Sequence, residues 1–210
     1  MKSAATQLFV EFKKSLAEAL APLGFLLHGN SLSREKNGVR ILIELQRDAK
    51  YGTKEALRFT LNVGLMSRVL QDFDNIGVET PTVIPESDLW HWRSRLGQLL
   101  PDRTDRWWEI SDDDSEKSVR EEVVDGILAY GLPKLEPLAD VDQLIMLWKS
   151  GQGAGLTEYR RRRNLARLLV AQGRTEEALD AVRELSEASI GKSWEVAARY
   201  DVKVLKESFQ

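Results

Sequence analysis

Asn37-Gly38-Val39-Arg40-Ile41-Leu42-Ile43-Glu44-Leu45-Gln46 and, after a polar break, Leu57-Arg58-Phe59-Thr60-Leu61-Asn62-Val63-Gly64-Leu65 are the stretches that decide the fold. In the first, Val39, Ile41, Ile43 and Leu45 point one way and Arg40, Glu44 and Gln46 the other. In the second, Leu57, Phe59, Leu61, Val63 and Leu65 oppose Arg58, Thr60, Asn62 and Gly64. Strand side chains alternate between faces, so the two runs describe neighbouring antiparallel strands with one covered face. Asn37-Gly38 is a hairpin-turn dipeptide because both positions tolerate positive φ. It joins the first run to an earlier strand over Phe25–Glu35, in which Gly29-Asn30 reads as a bulge that shifts the phase.

Around this sheet the period changes. Leu8, Phe9, Phe12, Leu16, Leu20 and Leu23 recur at helical spacing, and Pro22 and Gly24 mark the exit. Gln71–Ser87, with Pro81 and Pro85, reads as an irregular excursion, and Asp88–Leu100 as a short helix or turn. Arg106–Ile110 is a candidate fourth strand. Asp112, Asp113 and Asp114 stand where acidic residues favour a helix N-terminus, ahead of a buried stripe of Val119, Val123, Ile127 and Tyr130. A short helix through Leu144, Ile145, Leu147 and Trp148 precedes a linker carrying Gly151, Gly153 and Gly155. Three helices come after it, near Thr157–Gln172, Thr175–Ser189 and Ser193–Ser208. The expected fold is α+β: an antiparallel sheet of about four strands packed against helices, then a small C-terminal helical bundle. Its domains are 1–150 for the sheet and 156–210 for the helices.

Composition narrows the function. Net charge is −3, so nothing draws the molecule as a whole to polyanions. Cysteine is absent, which removes disulfides and thiolate metal sites and suits a reducing cytoplasm. No apolar run reaches the roughly 20 residues that cross a bilayer, so the expectation is a soluble, cytoplasmic protein without a membrane partner.

Gly24-Phe25, then Gly29-Asn30-Ser31-Leu32-Ser33-Arg34, Leu45-Gln46 and Phe59-Thr60-Leu61-Asn62-Val63-Gly64 resemble the bacterial family known as domain of unknown function 4304. Trp90 to Gly97 and Trp107-Trp108 match the tryptophan- and arginine-containing segment that comes next in that family. The resemblance covers roughly residues 5–140. It implies an α+β fold and a bacterial source, and brings no activity with it. The helices after Gly155 lie outside it.

Candidate sites are few. The outward sheet face gathers Arg40, Glu44, Gln46, Arg58, Thr60 and Asn62, which form either a solvated face or a polar groove. Gln46 and Asn62 are the directional hydrogen-bonders at matching positions, and amides are disfavoured in strands without a use. Trp92, Arg93 and Arg95 join them as candidate ligand contacts, since tryptophan and arginine dominate binding hot spots. Four of the six tryptophans fall between Trp90 and Trp108; two or three belong to the core and one to an edge. His28 and His91 lack companions for a zinc site or a nucleophilic triad and read as structural. Asp112-Asp113-Asp114 lacks the alternation of a calcium loop and reads as a cap. Arg160, Arg163 and Arg167 share a helix side away from Leu165, Leu168 and Leu169. They are the alternative nucleic-acid contacts; pairing with Glu176, Glu177 or Glu184 is the default. Ala166, Leu169, Gly173 and Ala178 have the spacing of one tetratricopeptide-like hairpin, expected to pack on the third helix through Trp194, Ala197 and Tyr200.

No catalytic residue, metal ligand or cofactor is assigned. The leading expectation is a non-catalytic protein-interaction or regulatory module. Nucleic-acid binding through the C-terminal arginines is one alternative, and an enzyme or binder of a small polar ligand in the sheet groove is the other.

Overall fold

The computed structural model describes residues 4–48, 50–74, 90–153 and 155–207. Its elements run α1 (Ala4–Leu20), β1 (Leu26–His28), β2 (Ser31–Lys36), β3 (Val39–Arg47), β4 (Leu57–Ser67), α2 (Arg68–Asp74), β5 (Trp92–Arg95) and β6 (Trp108–Ile110). The remainder is helical: α3 (Asp113–Gly126), a π-helical segment (Ile127–Gly131), α4 (Leu132–Leu135), α5 (Val141–Lys149), α6 (Glu158–Ala171), α7 (Thr175–Ser189) and α8 (Glu195–Glu207). They group into two compact units. One comprises Met1–Lys36, Arg40–Leu65 and Arg93–Pro137, the other Asn37–Val39, Met66–Trp92 and Leu138–Gln210.

The first unit holds the sheet, α+β with the order β1-β2-β3-β4-β5, and with β6 pairing antiparallel to β4. The expected alternation is present: Ile41, Ile43, Phe59, Leu61, Val63 and Leu65 are fully buried. Phe9, Phe12, Leu16 and Leu20 of α1 are buried with them, and the Phe12 ring lies 4.8 Å from that of Phe59. The reading of Asn37-Gly38 as a turn holds, with φ of 51° and 71°.

Among the described residues the expected antiparallel sheet has six strands, the short β1 and β5 adding to the about four read from the sequence. Gly29-Asn30 is a hairpin turn rather than a bulge: Gly29 has φ +61°, and Leu26, Leu27 and His28 face Ser33, Leu32 and Ser31. Trp92–Arg95 is a strand where a helix or turn was expected, because tertiary pairing overrides weak local preference in so short a piece. The excursion over Gln71–Ser87 divides: Gln71 to Asp74 end α2, and the rest lies outside the described residues. The polar face of β4 is not left in water, since Thr60 and Asn62 are buried as deeply as their apolar neighbours.

Asp112 caps α3 as expected, accepting from Ser115 N at 2.8 Å while the Ser115 hydroxyl takes the Asp112 N–H. Tyr130 departs from the expected stripe and is 40% exposed. The π turn is wider than an α turn, so Tyr130 within it no longer falls on the side of Ile127.

In the second unit α6 and α7 form the expected hairpin, burying Ala166, Leu169, Ala178, Val182 and Leu185. The third helix presents Ala198, Val202 and Leu205 instead of Ala197 and Tyr200, which are exposed. These helices do not pack only among themselves: α6 also packs on α5 and α2. Arg161 pairs with Glu158 and donates to the Trp148 carbonyl. A Cβ on Gly153 would come to 3.0 Å from Arg161 Cδ, so a side chain there would have to displace Arg161 by a few tenths of an ångström. No described helix is long and apolar enough to cross a membrane.

Candidate functional site

On β3, Glu44 and Gln46 are two residues apart and therefore share a face; on β4, Arg58, Thr60 and Asn62 do likewise. The structure brings Gln46 and Asn62 together. Asn62 Nδ2 donates to Gln46 Oε1 at 2.9 Å and to Glu44 Oε2 at 3.0 Å. Asn62 itself is 1% exposed, beyond a ligand's reach, so it positions Glu44 and Gln46, of which Gln46 is exposed. Thr60 Oγ1 donates to the Arg106 carbonyl at 2.8 Å, which fastens the segment before β6 over the strand. Gly97 permits that approach: a Cβ there would stand 2.5 Å from Thr104 O and 2.7 Å from Arg106 N.

The fastened segment delivers Trp107 to a stack. The guanidinium carbons of Arg58 and Arg95 lie 5.4 and 5.1 Å from the Trp107 ring centre. Arg58 also lies 5.3 Å from the Tyr51 ring, and Lys50 Nζ 5.1 Å from it. Cations and rings thus alternate from Lys50 through Tyr51, Arg58 and Trp107 to Arg95, each contact attractive through the ring quadrupole. Carboxylates hold the edges. Asp105 pairs with Arg95 and accepts from Trp107 Nε1 at 3.2 Å. The Arg95 hydrogen bond, with Trp107 assisting, holds the Asp105 pKa below the usual carboxylate range. Asp48 Oδ1 accepts from Lys50 N at 2.9 Å and Tyr51 N at 3.0 Å, fixing the turn that presents Tyr51. Those N–H groups and Arg58 outweigh desolvation and keep the Asp48 pKa low. Tyr51 is 60% exposed and Trp107 half-buried. The ladder offers flat aromatic faces between charged groups.

Of the other candidates, Trp92 is buried, as Trp90 and Trp108 each are, which leaves Trp107 as the edge tryptophan of the four. Arg93 is half-buried on β5, next to Trp92 in sequence. Sequence reading missed Tyr51, which lies in the polar break between β3 and β4, where nothing marks it as a partner for Arg58.

Arg163 and Arg167 belong to a different arrangement, in the second unit. Asp74 Oδ1 accepts from Arg167 at 2.7 Å and Arg163 at 3.3 Å, and Asp74 Oδ2 lies 3.2 Å from His91 Nε2. Arg167 also reaches Asp201 at 3.0 Å, and Tyr159 donates its hydroxyl to the same carboxylate. Arg160 donates to the Trp90 carbonyl at 3.4 Å. With side chains 17% and 12% exposed, Arg163 and Arg167 are turned toward these carboxylates. Of the glutamates expected to pair with this arginine face, Glu184 pairs with Arg162 and Glu177 with Arg174 and Lys149. The missed partner Asp201 had a signal: it is a charge on the apolar stripe of Ala198, Val202 and Leu205.

His91 is fully buried and both its nitrogens are committed. Nδ1 accepts from Ser67 N at 2.9 Å, so Nε2 carries the proton and donates to Asp74. Burial pushes the His91 pKa down, with Arg160 and Arg163 adding to it against Asp74. Burial would raise the Asp74 pKa, but His91, Arg163 and Arg167 together bring it below the usual value. Among the described residues no group of three or more His, Asp or Glu side chains is placed to hold a metal ion.

The family model for a domain of unknown function (DUF4304) matches residues 16–137, more than half of the chain. The chain belongs to the DUF4304 family. No curated protein and no solved structure matches it. The DUF4304 segment contains all six described strands and every member of the ladder, whereas Arg160, Arg163 and Arg167 lie outside it.

Proposed function

We propose that this chain is a non-catalytic protein-interaction module that engages a partner protein through the ladder of Tyr51, Arg58, Trp107 and Arg95. The observation that carries the reading is the alternation of two partly exposed rings with guanidinium groups already clamped by Asp48 and Asp105. Tryptophan, tyrosine and arginine supply most hot-spot energy, and side chains held in place before contact lose little rotamer freedom on binding. Gln46, with Glu44 beside it, supplies directional hydrogen bonds on the same strand face. The enclosure of His91 argues against acid–base chemistry at the one buried histidine, and the pairing of Arg163 and Arg167 argues against a phosphate-binding helix face. A bacterial cytoplasm is the setting, supported by the cysteine-free composition and the family resemblance.

Affinity capture with the full chain and its Trp107→Ala and Arg58→Ala variants tests this. A captured protein should be lost with both variants while circular dichroism stays unchanged. Undiminished capture by Trp107→Ala, or capture that disappears with nuclease, rejects the ladder as a protein-binding surface.

A further inference from the structure

The helical run from Asp113 to Leu135 carries a feature the ladder does not use. In regular α geometry Val119, Val123, Ile127 and Tyr130 make one buried stripe. Ile127 is fully buried, but the π turn from Ile127 to Gly131 is wider than an α turn, so Tyr130 within it no longer falls on the side of Ile127. Pro133 has no N–H to offer the Ala129 carbonyl, so an α register does not close there. Leu128 is left 44% exposed and Tyr130 40% exposed, beside a cleft of about 630 Å³ whose lining includes Leu100, Ala129, Glu122 and Asp125. Gly126 lets the floor close, since a Cβ there would meet Leu100 Cδ2 at 3.2 Å.

The rim is acidic. Helix α3 carries six carboxylates against two cations. The cleft lining holds two carboxylates and no Lys or Arg; Glu122 is answered by Arg106 at 2.6 Å, whereas Asp125 has no ion-pair partner among the described residues. An apolar floor under unanswered negative charge complements a segment carrying both aliphatic or aromatic side chains and Lys or Arg, and repels polyanions.

We infer that this cleft is a docking site for a basic, apolar peptide segment of a partner protein, anchored on Leu128 and Tyr130 and oriented by Asp125. It is separate from the ladder reading and does not depend on it.

A phage-displayed peptide library selected on the full chain, with Leu128→Asp as the counter-target, tests the inference. Enriched peptides should place Lys or Arg next to Leu, Ile, Phe or Trp. The best of them, labelled for anisotropy, should bind roughly thirtyfold more weakly to Leu128→Asp, as for loss of a hot-spot anchor, and more weakly at high salt. Binding to Trp107→Ala should be unchanged, which separates this site from the ladder. Enrichment of acidic or uncharged peptides, full binding to Leu128→Asp, or no enrichment at all each overturns the inference. Self-association of the chain that Leu128→Asp abolishes does so too, because the occupant is then a second copy.

Discussion

Replacing Asp74 by alanine should cost about 3 kcal/mol, and the figure rests on its three donors. His91 Nε2–H, in a side chain with no exposure, loses its acceptor 3.2 Å away; stranding a buried donor costs about 1–3 kcal/mol. Arg167 loses a 2.7 Å charged contact but keeps Asp201 at 3.0 Å, so its loss is partial. Arg163 is 17% exposed and turns partly to water, leaving a loss of about 0.5–1 kcal/mol. Such a sum is a large share of the roughly 5–15 kcal/mol that holds a domain together. With a urea m value of about 2 kcal/mol/M, the midpoint should fall by about 1.5 M. Tryptophan fluorescence reports it, because Trp90 and Trp148 are buried in the same unit. Asp74→Asn keeps an acceptor for His91 and should lose about half as much. Asp180→Ala, which removes an exposed pair with Arg183, should stay within about 0.5 kcal/mol. If Asp74→Ala matched Asp180→Ala, the carboxylate would be an ordinary surface charge and the network argument would be wrong.

Acid should weaken the same unit in two stages. The His91 pKa is lowered in the fold, so the unfolded chain takes up the proton first and stability declines as pH falls below about 6.5. The Asp74 pKa is also lowered, so its contribution is complete above about 3.9 and disappears as pH falls through the folded value. A melting temperature that stays level from neutral pH to mild acid contradicts the first stage. Gly97→Ala should cost about 2–4 kcal/mol, since the new Cβ would press on Thr104 O and Arg106 N, and should change Trp107 emission; an unaltered melting curve refutes the close approach. Asn62→Ala should cost about 1–2 kcal/mol and Gln46→Ala less than about 0.5 kcal/mol, because only the first is buried; urea titration showing equal losses would contradict the positioning role.

The central strands were legible because alternation is a local property: Ile41, Ile43, Phe59 and Leu61 announce their face without knowing their neighbours. Turn and cap chemistry at Asn37-Gly38 and Asp112 was equally local. The adjacency of Gln46 and Asn62 came with the pairing of the two strands. The features that escaped depended on distant partners. Asn62 looks solvent-facing by parity, yet its burial depends on the segment that Thr60 and Gly97 draw over the sheet. The four residues of β5 are too few for a period to show. Tyr130 keeps helical spacing in sequence and leaves it in space, because one π turn breaks the count. The arginines of α6 have their carboxylates at Asp74 and Asp201, far along the chain, where no i,i+4 rule points. The grouping of Met66–Trp92 with the residues after Leu138 has no local signature either.

That interleaving matters during synthesis. The first unit draws on three stretches of chain, the last of which ends at Pro137, so a ribosome exposes β4 well before β5 and β6 exist to flank it. At about 5–20 residues per second, the longest strand waits for seconds with a bare edge. A nascent chain stalled before Trp92 should therefore recruit holdase chaperones, and one stalled beyond Pro137 should release them.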